Sequence, residues 1–427
     1  MAEQDVTKKQ DDETGGVITE ADIERARQQI GVPQFVRTKT YNPQADTNSM
    51  THFAYGNGDD NPLYHDLEYA KSSRWGDLIA APIYPISAGI CVTPKYDGEK
   101  KKLFRGLFKG VGKYHTVSDW DWYRPINPGD EIYYEHLTTD VDVKQSRFSK
   151  GRSIIEIYRT LYVNKLGEPV AVRNETFASI ERKGSKEGGK YKDFQREHYS
   201  DDDIAKMDEV YAAEIRRGEN TRYWEDVEVG DVLQEVAKGP LTITDIMFSH
   251  MARGWGGYGI GPLRYAWDMR QRMPAFFSKD QFGVPDNVQR LHWDWDWAEK
   301  IGLPVPVDYG QNRLSWLTHL VTSWMGDDAW LLNINVEFRD FNFIGDFSIC
   351  KGSVTNKREV NGQYLVDIEL ECSNQRGVVS SPGTATVILP SKKAGVVVLP
   401  QPPADLALHG AQIIKEYKIQ KSQGKVA

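Results

Sequence analysis

The sequence predicts an α+β fold made of two similar halves, each with an antiparallel sheet wrapped around a helix. Three observations support this prediction. The order of sequence features repeats once along the chain, both halves contain long alternating strand-like segments, and one segment has the apolar spacing of a helix. A sheet that surrounds this helix would bury its apolar stripe.

The repeat begins with a loop rich in Asp, Asn and His, followed by an apolar stretch and strand-like segments that contain a Gly-Asp turn. Its markers are Asp66, Ala70 and Gly129 in the first half, and Asp294, Ala298 and Gly345 in the second. Hairpin turns are expected near residues 165–167 and 375–377. The helical apolar stripe starts after Gly310 and consists of Leu314, Leu317, Leu320, Val321 and Trp324.

Composition shifts divide the chain into five segments. Residues 1–34 are a polar tail and a short helix capped by Thr19, and residues 35–182 form the first half. Residues 183–221 are a charged linker with a helix that Ser200 caps and that ends at Gly218. Residues 222–390 form the second half, with an insertion at about 250–286 as a hypothetical lid, and residues 391–427 are an arm on the surface or a disordered tail.

Composition also excludes several classes of protein. A net charge of −8 argues against a nucleic-acid binder, and a mean hydropathy of −0.56 without a long apolar run argues against a membrane protein. The three cysteines, Cys91, Cys350 and Cys372, are far apart and show no metal-binding spacing. The polar amino terminus lacks a secretory signal, so we expect a cytoplasmic protein.

The clearest motif is HFAYGNGDDNPLYHDLEYA at residues 52–70. Here the sequence resembles the MaoC-like, R-specific enoyl-CoA hydratases, whose signature is Gly-Asp-x-Asn-Pro, an aliphatic residue, His, five residues and Ala. The matching residues are Gly58, Asp59, Asn61, Pro62, Leu63 and Ala70. Tyr64 takes the position of the signature His, and His65 comes one residue late. Together with YRPINPGDEI, the motif is similar to the FAS1-like dehydratase variant of this family.

The second half departs from the signature in another way. His292 is followed by five residues and Ala298, and the chain then continues to Gly310 as in the family. Asn287 stands five positions before His292, and the nearest acid is Asp286. The resemblance covers roughly residues 35–182 and 222–390. It implies a double hotdog, with the two halves packed as a pseudo-dimer within one chain.

The resemblance implies a hydro-lyase that reversibly hydrates a trans-2-enoyl thioester to a 3-hydroxyacyl thioester of R configuration. An ionised Asp and a neutral His that share one water can divide the proton transfers, and backbone N–H groups can stabilise the enolate oxygen. We expect Asp286 and His292 to be this pair, with the N–H of Gly310 polarising the thioester carbonyl. Asp59 and His65 are the reserve pair, that is, the candidate acid and base if the first half rather than the second is the catalytic one. This alternative stays open.

Four further residues are expected to contact the substrate. They are Asn61, Tyr64, Lys101 and Arg105, the last two as part of a basic cluster that would hold the phosphates of coenzyme A or form a solvated face. The chemistry needs no metal or redox cofactor, and coenzyme A enters as part of the substrate. The expected partner is a small-molecule acyl thioester, and a homodimer stays open.

Two other functions fit the same sequence. A hotdog thioesterase would share the acyl-CoA pocket but hydrolyse the thioester and release free thiol. A pseudo-hydratase would serve as a partner subunit without catalysis, because the signature is altered in both halves. His292 would then be a buried histidine satisfied by polar neighbours among Trp293, Trp295 and Trp297.

Overall fold

The computed structural model describes residues 16–34, 42–94, 96–104, 106–108, 110–145, 151–181, 191, 193–254 and 261–424. The strands are β1 (Ile90–Cys91), β2 (Gly112–Trp122), β3 (Ile132–Gln145), β4 (Arg152–Asn164), β5 (Pro169–Ile180), β6 (Val236–Lys238), β7 (Phe277–Lys279), β8 (Pro285–Asn287), β9 (Trp330–Glu337), β10 (Ser348–Val360), β11 (Gln363–Asn374) and β12 (Val379–Ile388). The helices are α1 (Glu20–Arg27), α2 (Thr47–Gly56), α3 (Leu67–Ser72), α4 (Gly98–Leu103), α5 (Asp201–Ala212), α6 (Ile243–Ala252), α7 (Arg264–Arg272), α8 (Trp295–Lys300), α9 (Gly310–Met325) and α10 (Ala404–Ser422).

Ten strands form one sheet in the order β1-β3-β4-β5-β2-β9-β12-β11-β10-β6. From each edge to the centre, the strands of each half follow one another in the same order: the first, third, fourth, fifth and second strand that this half contributes to the sheet. The two halves meet at the centre, where β2 and β9 pair antiparallel. Each half therefore supplies five strands in an equivalent order, although the edge strand β1 pairs parallel with β3 whereas β6 pairs antiparallel with β10. The repeated order agrees with the repeat in the sequence. The two expected hairpins join β4 to β5 and β11 to β12. The predicted α+β class is confirmed.

Helix α9 is the central helix of the second half. Its predicted apolar stripe is confirmed, because Leu314, Leu317, Leu320 and Val321 are almost fully buried in the main core. The helix packs against β9, β10 and β11. The other faces of α9 are buried as well, from Gln311 to Trp324, as expected for a helix enclosed by a sheet and by neighbouring segments.

The first half has no helix of this length among the described residues. Gly310, the first residue of α9, stands eighteen positions after His292, and the residue eighteen positions after Tyr64 is Pro82. Only a short 3-10 helix, Tyr84–Ser87, follows there. Pro82 and Pro85 explain the difference, because proline cannot donate the backbone hydrogen bonds of a helix interior.

The N-terminal caps are confirmed, since the side chains of Thr19 and Ser200 accept hydrogen bonds from the first turns of α1 and α5. Helix α5 ends at Ala212, six residues before Gly218.

The C-terminal segment is more ordered than the expected arm. Helix α10 packs on β3, β4 and β5 of the first half. Its buried residues include Leu406, Ile413, Ile414 and Tyr417, which share a core cluster with the outer face of that sheet.

The insertion contains α7 and a two-stranded hairpin in which β7 pairs with β8. Residues 255–260 of the predicted lid lie outside the described residues. Among the described helices, none combines the length and the hydropathy needed to cross a lipid bilayer.

Candidate active site

A row of polar side chains runs along one face of α9. Asn312, Ser315, His319 and Thr322 follow at intervals of three and four residues, so they share this face. All four are buried, with exposed fractions of 3 %, 6 %, 4 % and 3 %. The apolar spacing of this segment predicted the helix but not this polar row, although the polar residues follow the same helical period.

His292 ends a short 3-10 helix, Val288–His292, close to the start of α9. Its Nδ1 lies 2.8 Å from the carbonyl oxygen of Val307, and because a carbonyl only accepts, Nδ1 carries the ring proton. Nε2 therefore keeps its lone pair and can accept a proton. Burial lowers the pKa of His292 to about 3, so the ring is neutral at physiological pH.

Two aromatic neighbours surround this imidazole. The ring of Tyr309 lies over His292 with 3.6 Å between the centroids, and its hydroxyl is 3.2 Å from Nδ1 of His250. Burial lowers the pKa of His250 to about 4, and the nearby charge of Arg253 acts in the same direction. Two neutral histidines thus flank the Tyr309 ring.

Gly310 begins α9 as the sequence predicted. No side chain caps this end of the helix, so the N–H groups of Gly310 and Gln311 keep their partial positive charge and their donor capacity. The N–H of Asn312 donates to the carbonyl oxygen of Tyr309 at 2.8 Å. A Cβ at Gly310 would lie 3.1 Å from the Phe338 ring, which explains why glycine fits here. The turn can therefore accept a carbonyl oxygen beside His292.

The structure does not join Asp286 to His292, which corrects the expected pair. The Oδ1 of Asp286 accepts hydrogen bonds from the backbone N–H and the side-chain amide of Asn287, at 2.7 and 3.1 Å. Within the described part of the chain, no hydrogen bond or ion pair connects it to His292. The reason is local, because Asp286 belongs to β8 and pairs with Ser278 of β7.

The reserve pair is also rearranged. Nε2 of His65 lies 2.6 Å from the main-chain oxygen of Asp59, whereas Oδ1 of Asp59 lies 3.7 Å from Nε2 of His319 on α9. The carboxylate of Asp59 thus faces a histidine of the other half. Sequence spacing could not reveal this contact, because the two residues are 260 positions apart.

Lys238 completes this cluster. Its ammonium donates to Nδ1 of His319 at 2.8 Å and to the carbonyl of Gly58 at 3.0 Å. Nε2 of His319 lies 3.4 Å from Oδ1 of Asp60, whose carboxylate also contacts Arg216. The hydrogen bond to His319, with the nearby positive charge, holds the pKa of Asp60 well below its usual range.

The carboxylates of Asp59 and Asp60 and the imidazole of His319 could together hold a metal ion, since their ligand atoms lie within 4.8 Å of one another. The positive groups of Lys238 and Arg216 already neutralise this cluster. A divalent cation would have to compete with both of them, so the donor set fits an ion-pair network better than a metal site.

A second network joins the halves beside this cluster. The side-chain oxygen of Asn57 accepts hydrogen bonds from Arg253 at 3.2 Å, Ser249 at 3.3 Å and Ser315 at 3.1 Å. Arg253, which is 1 % exposed, also donates to Asn312 at 2.8 Å. The signature loop of the first half is therefore fastened to the polar face of α9.

The expected substrate-binding residues have different surroundings. Asn61 is buried, and its side chain accepts the N–H of Leu63, so it shapes the loop. Tyr64 is buried, and burial together with the charge of Asp59 raises the pKa of its hydroxyl well above the ordinary value. Lys101 is exposed on α4, and Arg105 lies outside the described residues.

A small cavity lies beside Tyr64. Its volume is about 50 Å³, and its lining includes Trp75, Trp122, Thr322 and Trp330. This volume holds a few water molecules rather than an acyl chain.

Comparisons with known proteins agree with this architecture. Residues 19–173 match the family model described as the FAS1-like, dehydratase domain region, as the motif of the first half predicted. A solved structure named MaoC-like dehydratase is 14 % identical, with 85 % of this chain and 99 % of that chain covered and a TM-score of 0.57. A putative MaoC domain protein dehydratase from Chloroflexus aurantiacus is 10 % identical, with 84 % and 95 % covered and a TM-score of 0.52.

No curated protein sequence matches the chain. The chain thus shares the double hotdog fold of these dehydratases over most of its length, and its first half matches the FAS1-like dehydratase region.

Proposed function

We propose that the chain is a hydro-lyase of the MaoC-like type, which reversibly adds water to the double bond of a trans-2-enoyl thioester. The observation that supports this most strongly is the placement of His292 beside the uncapped N-terminus of α9 at Gly310. A base and a pair of backbone donors are the two elements that the reaction requires.

In the hydration direction, Nε2 of His292 takes a proton from water while the water oxygen bonds to C3. The electron pair of the double bond moves toward the thioester oxygen and forms an enolate. The N–H groups at Gly310 stabilise this oxygen, and the imidazolium then returns its proton to C2. One histidine can therefore perform both proton transfers, and the product contains the oxygen and both hydrogens of the added water.

The low pKa of His292 favours removal of a proton from water but makes the protonated intermediate state of the ring less stable. A value of about 3 keeps the ring unprotonated, so it can accept a proton at any physiological pH. The same burial makes the imidazolium unfavourable, and the enolate charge that develops at Gly310 has to compensate for it. The hydrogen bond to Val307 fixes the orientation of the imidazole ring. This favours the reaction, because Nε2 is already the nitrogen that accepts the proton before water binds.

The expected acids have other roles in this proposal. Asp286 acts on Asn287 rather than on water, and is a positioning residue. Asp59 belongs to the charged cluster with His319, which holds the signature loop on α9. In the first half, Pro82 takes the place that Gly310 has in the second and offers no N–H, so we assign catalysis to the second half.

The test is a hydration assay with a panel of trans-2-enoyl-CoA thioesters, in which mass and chirality identify the product. We expect a water adduct, and we expect His292→Gln to lower kcat by roughly a hundredfold or more. His52→Gln is the matched control, because His52 is exposed on α2.

Release of free coenzyme A without a water adduct would show a thioesterase instead. Full activity of the His292→Gln variant would refute the assigned base. No turnover with any thioester in the panel would favour the pseudo-hydratase alternative.

A further inference from the structure

A buried ion pair lies between the two elements of the proposed catalytic centre. It joins Asp308, in the loop before α9, to Arg313 near the start of the helix. Oδ2 of Asp308 lies 2.9 Å from Nε of Arg313, and the two side chains are 0 % and 3 % exposed. The proposed reaction steps use neither of these groups.

Asp308 is the neighbour of the residue that orients the proposed base. The carbonyl oxygen of Val307 accepts the hydrogen bond from Nδ1 of His292 at 2.8 Å. The N–H of Asp308 donates to the carbonyl oxygen of Asn342 at 2.9 Å, and α9 begins two residues later at Gly310. A shift of Asp308 would therefore move both the acceptor that holds His292 and the N–H donors at Gly310.

Arg313, the partner in the ion pair, is itself held in place. Its Nη1 donates to the carbonyl oxygen of Asp340 at 2.6 Å and to Oγ of Ser381 on β12 at 3.1 Å. Its guanidinium also lies over the ring of Phe338, 5.3 Å from the centroid. The carboxylate of Asp308 is thus tied to a side chain that α9, β12 and an aromatic ring fix together.

The burial of these two charges is costly. Burial raises the pKa of Asp308 to about 6, despite the nearby charge of Arg313. Replacement of a buried ion pair by apolar residues of similar volume is often neutral or stabilising, because desolvation offsets the attraction of the charges. A role in stability alone therefore does not account for this pair.

We propose that Asp308 is a positioning residue, whose ion pair with Arg313 sets the distance between Nε2 of His292 and the N–H groups at Gly310. This inference rests on the proposed hydratase function and adds a residue to its machinery. Water has to bond to C3 while the enolate oxygen reaches its donors, so the base and the donors must be correctly spaced at the same time. The side chains of Asp308 and Arg313 are enclosed, so they act through these neighbours.

The experiment measures kcat and KM for the hydration of trans-2-octenoyl-CoA. Asp308→Asn keeps the shape of the side chain and removes its charge. We expect kcat to fall roughly tenfold to a hundredfold, because a small displacement of reacting groups has an effect of this size. We expect KM to change by less than about twofold, because an interaction that acts only on the reaction step leaves binding of the substrate unchanged.

A second variant combines Asp308→Asn with Arg313→Gln. It removes both charges, so no buried charge is left unpaired and the fold is less disturbed than by either change alone. The tether is still lost, and kcat should fall as it does in the single variant. Circular dichroism of each variant verifies that the protein is folded.

The matched control is Glu156→Gln. Glu156 is also buried and paired, with Lys113 at 2.9 Å, but it lies on β4 of the first half. This change should lower the urea midpoint and leave kcat unchanged. An equal loss of kcat in the control would overturn the inference, because any broken buried ion pair would then have the same effect.

Three further results are decisive. Unchanged kcat in both variants at Asp308 would overturn this inference while the hydratase function stands. A higher KM at unchanged kcat would overturn it as well, since the residue would then affect binding rather than the reaction step. Absence of any water adduct with the unchanged protein would overturn the proposed function, and this inference with it.

Discussion

Lowering the pH from 7 to 5 should strongly destabilise this protein, because four of its histidines are buried or largely buried and uncharged. Burial lowers the pKa values of His115, His136 and His250 to about 4 and that of His292 to about 3, from an ordinary value of 6.5. The unfolded chain therefore binds protons at a higher pH than the folded chain does. The stabilisation is complete above pH 6.5 and is lost as the pH falls toward the folded pKa values.

The magnitude follows from these values. A histidine with an unfolded pKa of 6.5 and a folded pKa of 4 loses ~1.8 kcal/mol of stabilisation between pH 7 and pH 5, so four histidines lose ~7 kcal/mol. Asp308 acts in the opposite direction, because burial raises its pKa to about 6 despite the nearby Arg313. Protonation of Asp308 between pH 7 and pH 5 therefore stabilises the folded protein by ~1 kcal/mol. The net loss is on the order of 6 kcal/mol, a large part of the free energy of unfolding of a typical domain.

The measurement is urea unfolding at pH 7, 6 and 5, followed by the fluorescence of the tryptophans. Most carboxylates titrate below this window, so the histidines dominate the change. His136→Phe removes one of the four groups and should reduce the pH dependence by about a quarter, whereas His52→Gln, on an exposed position, should not. A free energy of unfolding that differs by less than ~1 kcal/mol between pH 7 and pH 5 would refute the reasoning.

Two predictions concern the contacts between the halves. Lys238→Met removes the ammonium that donates to His319, and breaking this buried network should lower the free energy of unfolding by ~3 kcal/mol in urea titrations at pH 7; an unchanged midpoint would show that the network contributes nothing. Gly56→Ala places a Cβ 2.3 Å from that of Ala252 and should cost ~1–3 kcal/mol in the same measurement. Gly98→Ala, in open space, is its control, and equal stability of both alanine variants would contradict the close packing of α2 on α6.

The charged cluster on α9 shows why the partner of Asp59 could not be read from the sequence. Spacing within the signature loop pointed to His65, and the side chain of that residue instead bonds the main-chain oxygen of Asp59. Its actual neighbour, His319, lies on the central helix of the other half. A sequence motif relates residues within one segment, so it cannot predict a contact that forms only when the two halves pack together.

Asp286 shows the opposite error, because sequence proximity suggested a contact that the fold prevents. The residue is six positions from His292, yet it belongs to a hairpin strand and its carboxylate turns to Asn287. The direction of a side chain depends on the strand that carries it. Strand β8 has only three residues, so the sequence of the insertion shows no alternation from which a strand could be predicted.

The sequence by itself determined the α+β class, the two halves, the hairpins, the start of α9 at Gly310 and its buried apolar stripe. These features depend on local periods, turn residues and a repeated order of motifs, all of which lie along the chain. Only the tertiary structure decided that α9 presents a second, polar face to the signature loop, and that the first half has a short 3-10 helix, Tyr84–Ser87, in place of a long central helix. The physical reason is that electrostatic and hydrogen-bond partners are chosen by packing between segments hundreds of residues apart, where local sequence carries no information.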